Sequence, residues 1–576
     1  MFIGFPYYID YFSFIIKKEK IFGNNFAFLV QHGILYFMKT LKTILLSKQN
    51  KRMEQMISGI LIFCSLIVFG ICIAHGMGDD IWYDEVFSVH FMQQSYGEIA
   101  ALTAKDVHPP MYYWYLKTFH DVGKILVPSA SDIVLCKMAS MLPFIGIFLY
   151  AFTLIQKRFG IKVMGFFLFL VAAMPQISNY TVEIRMYSLA LFFITAIFLH
   201  GYELVMQSMN SGQNLEEKIP KAIKNEKGGG KKPPVFLKNN LHWAAFFLYG
   251  ILTAYTQYYA CIAVVAVYMA LFVYFAIAKQ KKQLGKVLLC AGLSVLCYLP
   301  WLPSFFWQFR TVSNSYWIQP LTFRSIFGCI KFVFLPVSYD TTRNYILAVV
   351  MILISGAAFL WYLWKQKDTT KRYFVLCGIW VPVFTAFMGF VCSALNRPIF
   401  VYRYLVPCMG AVWLVLAVCI FECFHKNWGI LLLVPFILAG YSNINGFYAE
   451  EHKKIVEMQK TQEFLEAFPE DAVVLCNFDH VQALTASYLE ETNLNYLYGL
   501  EPESLVQKMF PSCKGMSDVI QLKNLVETED VYFFGSFNAR EDLLAEWEKE
   551  GITYTEDGTY LLERYYFNVY HLKSRK

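Results

Sequence analysis

Residues 53–85 read MEQMISGILIFCSLIVFGICIAHGMGDDIWYDE, and this stretch decides the fold. Ile57 to Ala74 contains no charged residue and is about as long as a hydrocarbon core is thick. A soluble helix would show a polar stripe, because one face must meet water; this segment has none. Directly after it come Asp79, Asp80, Asp84 and Glu85. The chain therefore crosses a bilayer and emerges as an acidic, aromatic loop. Carboxylates beside a membrane are costly unless they are solvated, paired or functional.

Working outward, the same apolar pattern recurs. The 576 residues are 57% hydrophobic and 18% aromatic, too apolar for a soluble chain of this length. About eleven crossings are predicted, near 57–75, 132–155, 163–178, 186–206, 241–257, 260–278, 287–304, 344–364, 373–393, 404–423 and 427–444. The basic groups Lys157/Arg158/Lys162, Lys221–Lys238, Lys279–Lys286, Lys365–Arg372 and Lys426 fall on one side of this scheme. That side is expected to be cytoplasmic, because Lys and Arg accumulate there. Residues 1–52 match neither a signal peptide nor a crossing; they are expected to be a non-native upstream extension or a cytoplasmic leader, with Met53 a plausible start.

The net charge of +7 is spread over short loops, with no basic domain interleaved with aromatics, so nucleic acid is not an expected partner. After about residue 445 the composition changes. Asp471–Asn477 and Glu529–Ser536 read as strands, Asp479–Glu491 and Ala539–Glu550 as helices, and Tyr560–Leu572 as a closing strand or hairpin. Residues 446–576 are thus expected to form a small α/β domain, outside the cytoplasm if the span number is odd. The 14 cysteines show no zinc spacing; Cys476 and Cys513 could pair.

Two outer segments carry the chemistry. One is Asp84-Glu85; the other is Asp106-Val107-His108-Pro109-Pro110, followed by Tyr112-Tyr113. An ionised Asp can accept a proton from an attacking hydroxyl, but Asp84 and Glu85 could equally cap a loop helix. These segments resemble the GT-C class of membrane glycosyltransferases. The likeness is to the dolichyl-phosphate-mannose–protein mannosyltransferases, their bacterial relatives and the lipid A aminoarabinose transferases. Three further segments agree in order: Glu183-x-Arg185-Met186-Tyr187, Trp317-Ile318-Gln319-Pro320, and Arg397-Pro398 with Arg403-Tyr404-Leu405.

The resemblance implies a polytopic α-helical GT-C architecture, with residues 53–445 as the catalytic domain and 76–131 as its first outer loop. It implies an integral multi-pass protein of the cell membrane, its catalytic face outside. Asp84 matches the catalytic Asp of that class and Glu85 its acidic neighbour; Asp106 and His108 would line the same cleft, His108 standing where some relatives carry Lys. The expected donor is a sugar on polyprenyl phosphate, and the acceptor a hydroxyl of an envelope protein, lipid or cell-wall glycan. A departing phosphate gathers negative charge that a planar guanidinium can hold, which directs attention to Arg403, Arg185 and Arg310. Glu183 and Arg185 could instead pair with each other. A divalent metal among Asp84, Glu85, Asp106, His108 and Glu183 is conceivable, though no spacing is diagnostic. The rival reading is a transporter or flippase of lipid-linked sugars, which would place ionisable groups or broken helices at mid-membrane.

Overall fold

The computed structural model describes residues 50–76, 78, 80–174, 177–216, 235–311, 320–336, 341–395, 398–423, 431–489, 493–499 and 505–575. The leader up to residue 49, most of the Lys221–Lys238 loop, Trp317-Ile318-Gln319, Arg397 and Lys426 lie outside these.

Among the described residues, nine helical segments are long and apolar enough to cross a membrane. One of them, Asp132–Ala173, runs through two of the eleven expected crossings. The basic loop expected at Lys157–Lys162 is a break at Gly160, whose φ of 85° suits a residue without Cβ. The Val235–Ala254 helix, another expected crossing, is not among the nine; its first turns carry Lys238, Asn239, Asn240 and His242. The protein is a polytopic α-helical membrane protein.

Burial separates central from peripheral helices. Of the most apolar stretch of Tyr187–Met209, 89% is buried, and of Tyr402–Glu422, 83%; for Lys281–Thr311 the share is 17%. The first two form the axis of the bundle. The third exposes Leu288, Leu289, Val295 and Leu296, an arrangement suited to lipid rather than water. Lipid supplies no hydrophobic drive between helices, so close packing must hold them together. Gly165 provides it: a Cβ there would lie 3.0 Å from the Ser58 carbonyl oxygen of the first crossing.

The two ends of the bundle differ in charge chemistry. At one end Lys162 pairs with Glu54, Arg158 with Glu203, and Lys371 with Glu422 at 3.4 Å. The other end holds Asp84, Arg185 and Arg403. The last long helix, Val434–Glu466, runs on past this second end without a break and leads into the C-terminal domain.

That domain is a six-stranded sheet of β1 (Val473–Cys476), β2 (Asn495–Tyr498), β3 (Cys513–Met516), β4 (Val531–Gly535), β5 (Ile552–Leu562) and β6 (Tyr565–Ser574). The order is β3-β2-β1-β4-β6-β5; β3-β2-β1-β4 are parallel, and the β5–β6 hairpin adds antiparallel to β4. The helices Asp479–Tyr488 and Ala539–Lys549 stand close to their expected bounds. β2, β3 and the helix Val519–Thr528 were not legible. β3 reads CKGM with only its ends buried, so it has no apolar run to betray it. Cys476 and Cys513 are free thiols on β1 and β3, with β2 between them.

In a doubly wound sheet the crevice lies beyond the carboxyl ends of the strands where the order reverses, here between β1 and β4. The loops after those strands are tied together: Asn477 Nδ2 donates to the Ser536 carbonyl at 2.9 Å, and Ser536 N–H donates back to Asn477 Oδ1 at 2.8 Å. The loop after β1, Phe478-Asp479-His480, docks on the bundle at Tyr83.

Candidate active site

Asp84 sits in the first turn of the helix Tyr83–Gln93, where an acidic side chain is favoured by the exposed N–H groups. Glu85 builds that turn. Its Oε2 accepts the Trp82 N–H at 2.9 Å, and its Oε1 accepts the Ile184 N–H at 2.7 Å. Burial pushes its carboxyl up, opposed by Lys137 and the two backbone N–H groups. Glu85 thus clamps the first outer loop to the Glu183–Arg185 segment, with both oxygens engaged. In this geometry it positions its neighbours.

The clamp brings Arg185 onto Asp84. Arg185 Nη1 donates to the Asp84 carbonyl at 3.2 Å, and Nη2 lies 3.5 Å from Asp84 Oδ2. Arg403, arriving on the Tyr402–Glu422 segment, reaches the same Oδ2 at 3.5 Å. Burial works to raise the Asp84 pKa, but Arg185 and Arg403 outweigh it and hold the carboxyl below the usual range. Asp84 is ionised at neutral pH.

His108 stands between Asp106 and Arg185: Nδ1 is 3.2 Å from Asp106 Oδ2 and Nε2 is 3.3 Å from Arg185 Nη2. Arg185 can only donate, so Nε2 accepts and Nδ1 carries the hydrogen toward Asp106. Burial lowers the His108 pKa, against the pull of Asp106. His108 is therefore a neutral brace for Arg185 rather than a cation. Arg185 makes its ion pair with Asp84; Glu183 is paired instead with Arg564, at 4.0 Å. Arg310 lies exposed on the helix Leu302–Thr311. Tyr112 and Tyr113 are fully buried core residues.

Glu183 is held at an unusual proton affinity. Burial raises its pKa to about 7, with Arg564 opposing and Glu85 adding to the rise. The folded protein keeps this proton up to about pH 7, whereas the unfolded chain loses it near 4.5. More protons are bound to the folded state across that window, so Glu183 costs stability progressively as pH rises through it. Glu183→Gln is expected to raise the unfolding temperature of the purified protein at a pH of about 8 and leave it unchanged at about 4. An equal shift at both pH values would show that Glu183 does not titrate this way.

Around this core lie buried polar atoms without a hydrogen-bond partner among the described residues: Trp82 Nε1, Glu183 Oε2, Arg185 Nε, Tyr187 Oη and Arg403 Nε. Such atoms are costly in a finished interior and mark places where another molecule can complete the bonding. A metal fits poorly. The oxygens of Glu85 are spent on backbone N–H groups, Asp84 faces two arginines, and no group of three or more candidate ligands occurs among the described residues.

The C-terminal domain supplies residues that the sequence did not reveal. His480 stacks on Tyr83 with ring centroids 3.6 Å apart, and Asp479 accepts the Tyr83 hydroxyl hydrogen at 3.4 Å. Arg564, in the β5–β6 turn, covers the Trp82 ring at 4.3 Å. They lie between 395 and 480 residues from Asp84 in sequence, and no local pattern could have joined them.

The fold so assembled is that of the GT-C class of membrane glycosyltransferases. The chain is similar to ArnT from Cupriavidus metallidurans in the apo state, with TM-score 0.52 and 12% identity, over 89% of this chain and 97% of that one. For ArnT of the same organism bound to undecaprenyl phosphate the TM-score is 0.49, at 11% identity and the same coverage. No family model matches the sequence, and no curated protein matches it.

Proposed function

We propose that the chain is an inverting glycosyltransferase that moves a sugar from a polyprenyl-phosphate donor to an acceptor hydroxyl at the extracytoplasmic face of the cell membrane. One observation carries this reading: an ionised carboxylate, Asp84, held between two guanidinium groups at one end of a GT-C bundle. The acceptor hydroxyl gives its proton to Asp84, and its oxygen attacks the anomeric carbon. The bond from that carbon to the phosphate oxygen breaks on the opposite side, and its electrons leave with the phosphate. Arg403 faces the developing charge; Arg185, braced by His108 and Asp106, fixes Asp84. Because the Asp84 pKa is depressed, its basicity is low. The proton therefore moves late, once bond formation has made the hydroxyl acidic. The acid limb of the pH–rate profile should consequently fall below the ordinary carboxylate range.

The test is transfer by the purified protein from a polyprenyl-phosphate sugar, with the envelope glycans of cells with and without the protein compared by mass spectrometry. An unchanged glycan profile together with no transfer sinks the reading.

The same proposal includes eleven crossings, with the C-terminal domain outside. The helix Val434–Glu466, which carries the domain to the Asp84 end, supports it, as does the basic side of the loop scheme. A C-terminal alkaline phosphatase fusion is expected to be active and a C-terminal green fluorescent fusion dark. A fluorescent cell would reverse the orientation.

A further inference from the structure

A cavity of about 490 Å³ lies beside the Asp84 cluster, between the bundle and the C-terminal domain. Arg403, Trp82, Glu183 and Lys137 line it from the bundle, Glu563 and Arg564, the two residues of the β5–β6 turn, line it from the C-terminal domain, and the acidic Asp80, Glu85, Glu450 and Glu451 line it as well. Arg403 and Arg564 approach the same indole ring, at 5.9 and 4.3 Å from the Trp82 centroid. Stacking on an aromatic face leaves a guanidinium's in-plane N–H groups available. Among the described residues Arg564 has a single ion pair, the 4.0 Å contact with Glu183, which is too long for a hydrogen bond, and its side chain is 49% exposed. Arg403 Nε and Glu183 Oε2 are buried without a protein partner.

The turn that presents Arg564 is built to hold one orientation. Glu563 adopts φ 55°, a left-handed conformation that costs a side-chain-bearing residue about 1 kcal/mol or more. It is nonetheless buried, with its N–H on Met458 Sδ at 3.4 Å and its carboxylate 3.3 Å from Lys454 on the long helix.

We propose that Arg403 and Arg564 form one anion site across Trp82, in which Arg564 of the C-terminal domain binds the phosphate of the polyprenyl donor. This rests on the glycosyl-transfer reading above and adds to it that the catalytic cleft is completed by the hairpin tip. Charge-assisted hydrogen bonds from one guanidinium are worth about 10- to 100-fold in affinity.

The experiment measures binding of undecaprenyl phosphate, and of undecaprenol without phosphate, to the full-length protein in detergent. The unaltered protein should prefer the phosphate; if it binds the two alike or neither, both this inference and the transferase reading fail. Given that preference, Arg564→Ala should weaken phosphate binding about 10- to 100-fold, leave undecaprenol binding unchanged, and raise the donor KM rather than the acceptor KM. Equal phosphate binding by Arg564→Ala, or an effect on the acceptor KM alone, overturns the inference while sparing the transferase. The double variant Glu183→Gln/Arg564→Ala separates contact from charge compensation. If it stays weak, Arg564 touches the phosphate; if it regains binding, Arg564 acts only by neutralising Glu183, and the inference is wrong.

Discussion

Asp84→Asn is expected to slow transfer by about 10²–10⁴-fold, the usual worth of general-base catalysis. Asn keeps the shape of the side chain and can stay in the first turn, which Trp82 and Glu85 cap, but it cannot take a proton. The same change removes the charge that Arg185 and Arg403 now satisfy. Arg403 should then bind a phosphate anion at least as tightly as before. Slow transfer with undiminished undecaprenyl phosphate binding is therefore the signature to look for. A helix cap would give neither result: transfer would continue at close to the normal rate. That outcome, in protein that inserts properly, would end the assignment of Asp84.

Arg403→Ala should lower kcat by about 10²–10³-fold, the range found when one group stabilising a developing oxyanion is removed, and should raise the donor KM as well. The exposure of the two arginines decides which is the better probe. Arg403 is 21% exposed and carries an Nε without a protein partner, so its loss leaves no large structural debt. Arg185 is 6% exposed and holds the Asp84 carbonyl, the Asp84 carboxylate and His108 together. Its truncation would strand an ionised Asp84 and lower the yield of folded protein. Arg403→Lys keeps the charge but loses the planar fork, and should recover part of the rate. An Arg403→Ala protein with unchanged donor KM and kcat would show that the phosphate lies elsewhere.

The long apolar helices were legible because each is a long run with few charges, and this signal needs no tertiary information. Asp84, Arg185 and Arg403 were legible as residues, since each stands in a short recognisable segment. Their partnership was not. Glu183 and Arg185 look like a pair in sequence, yet the carboxylate of one turns to Arg564 and the guanidinium of the other to Asp84. Glu85 could have been a second acid, until both its oxygens are found on N–H groups of two different segments. His108 stands where a cation was expected, but burial and an arginine on Nε2 keep it neutral. Each of these outcomes depends on contacts between residues that are distant in the chain. The same is true of Tyr83 on His480 and Arg564 on Trp82.

The helix Val434–Glu466 has 33 residues, and at 1.5 Å each it is a rod of about 50 Å. A bilayer core takes up about 30 Å of that length, leaving about 20 Å standing clear of the lipid. The rod's outer part holds the β5–β6 turn through Lys454 and Met458, so it works as a lever with its fulcrum in the membrane. Tilting it by about 5°, as a thinner or thicker bilayer does to a crossing helix, moves the far end by about 2 Å and the Lys454–Met458 stretch, nearer the lipid, by less than about 1 Å. The thickness of the surrounding lipid is thereby transmitted mechanically to the C-terminal domain, without any lipid entering the cavity.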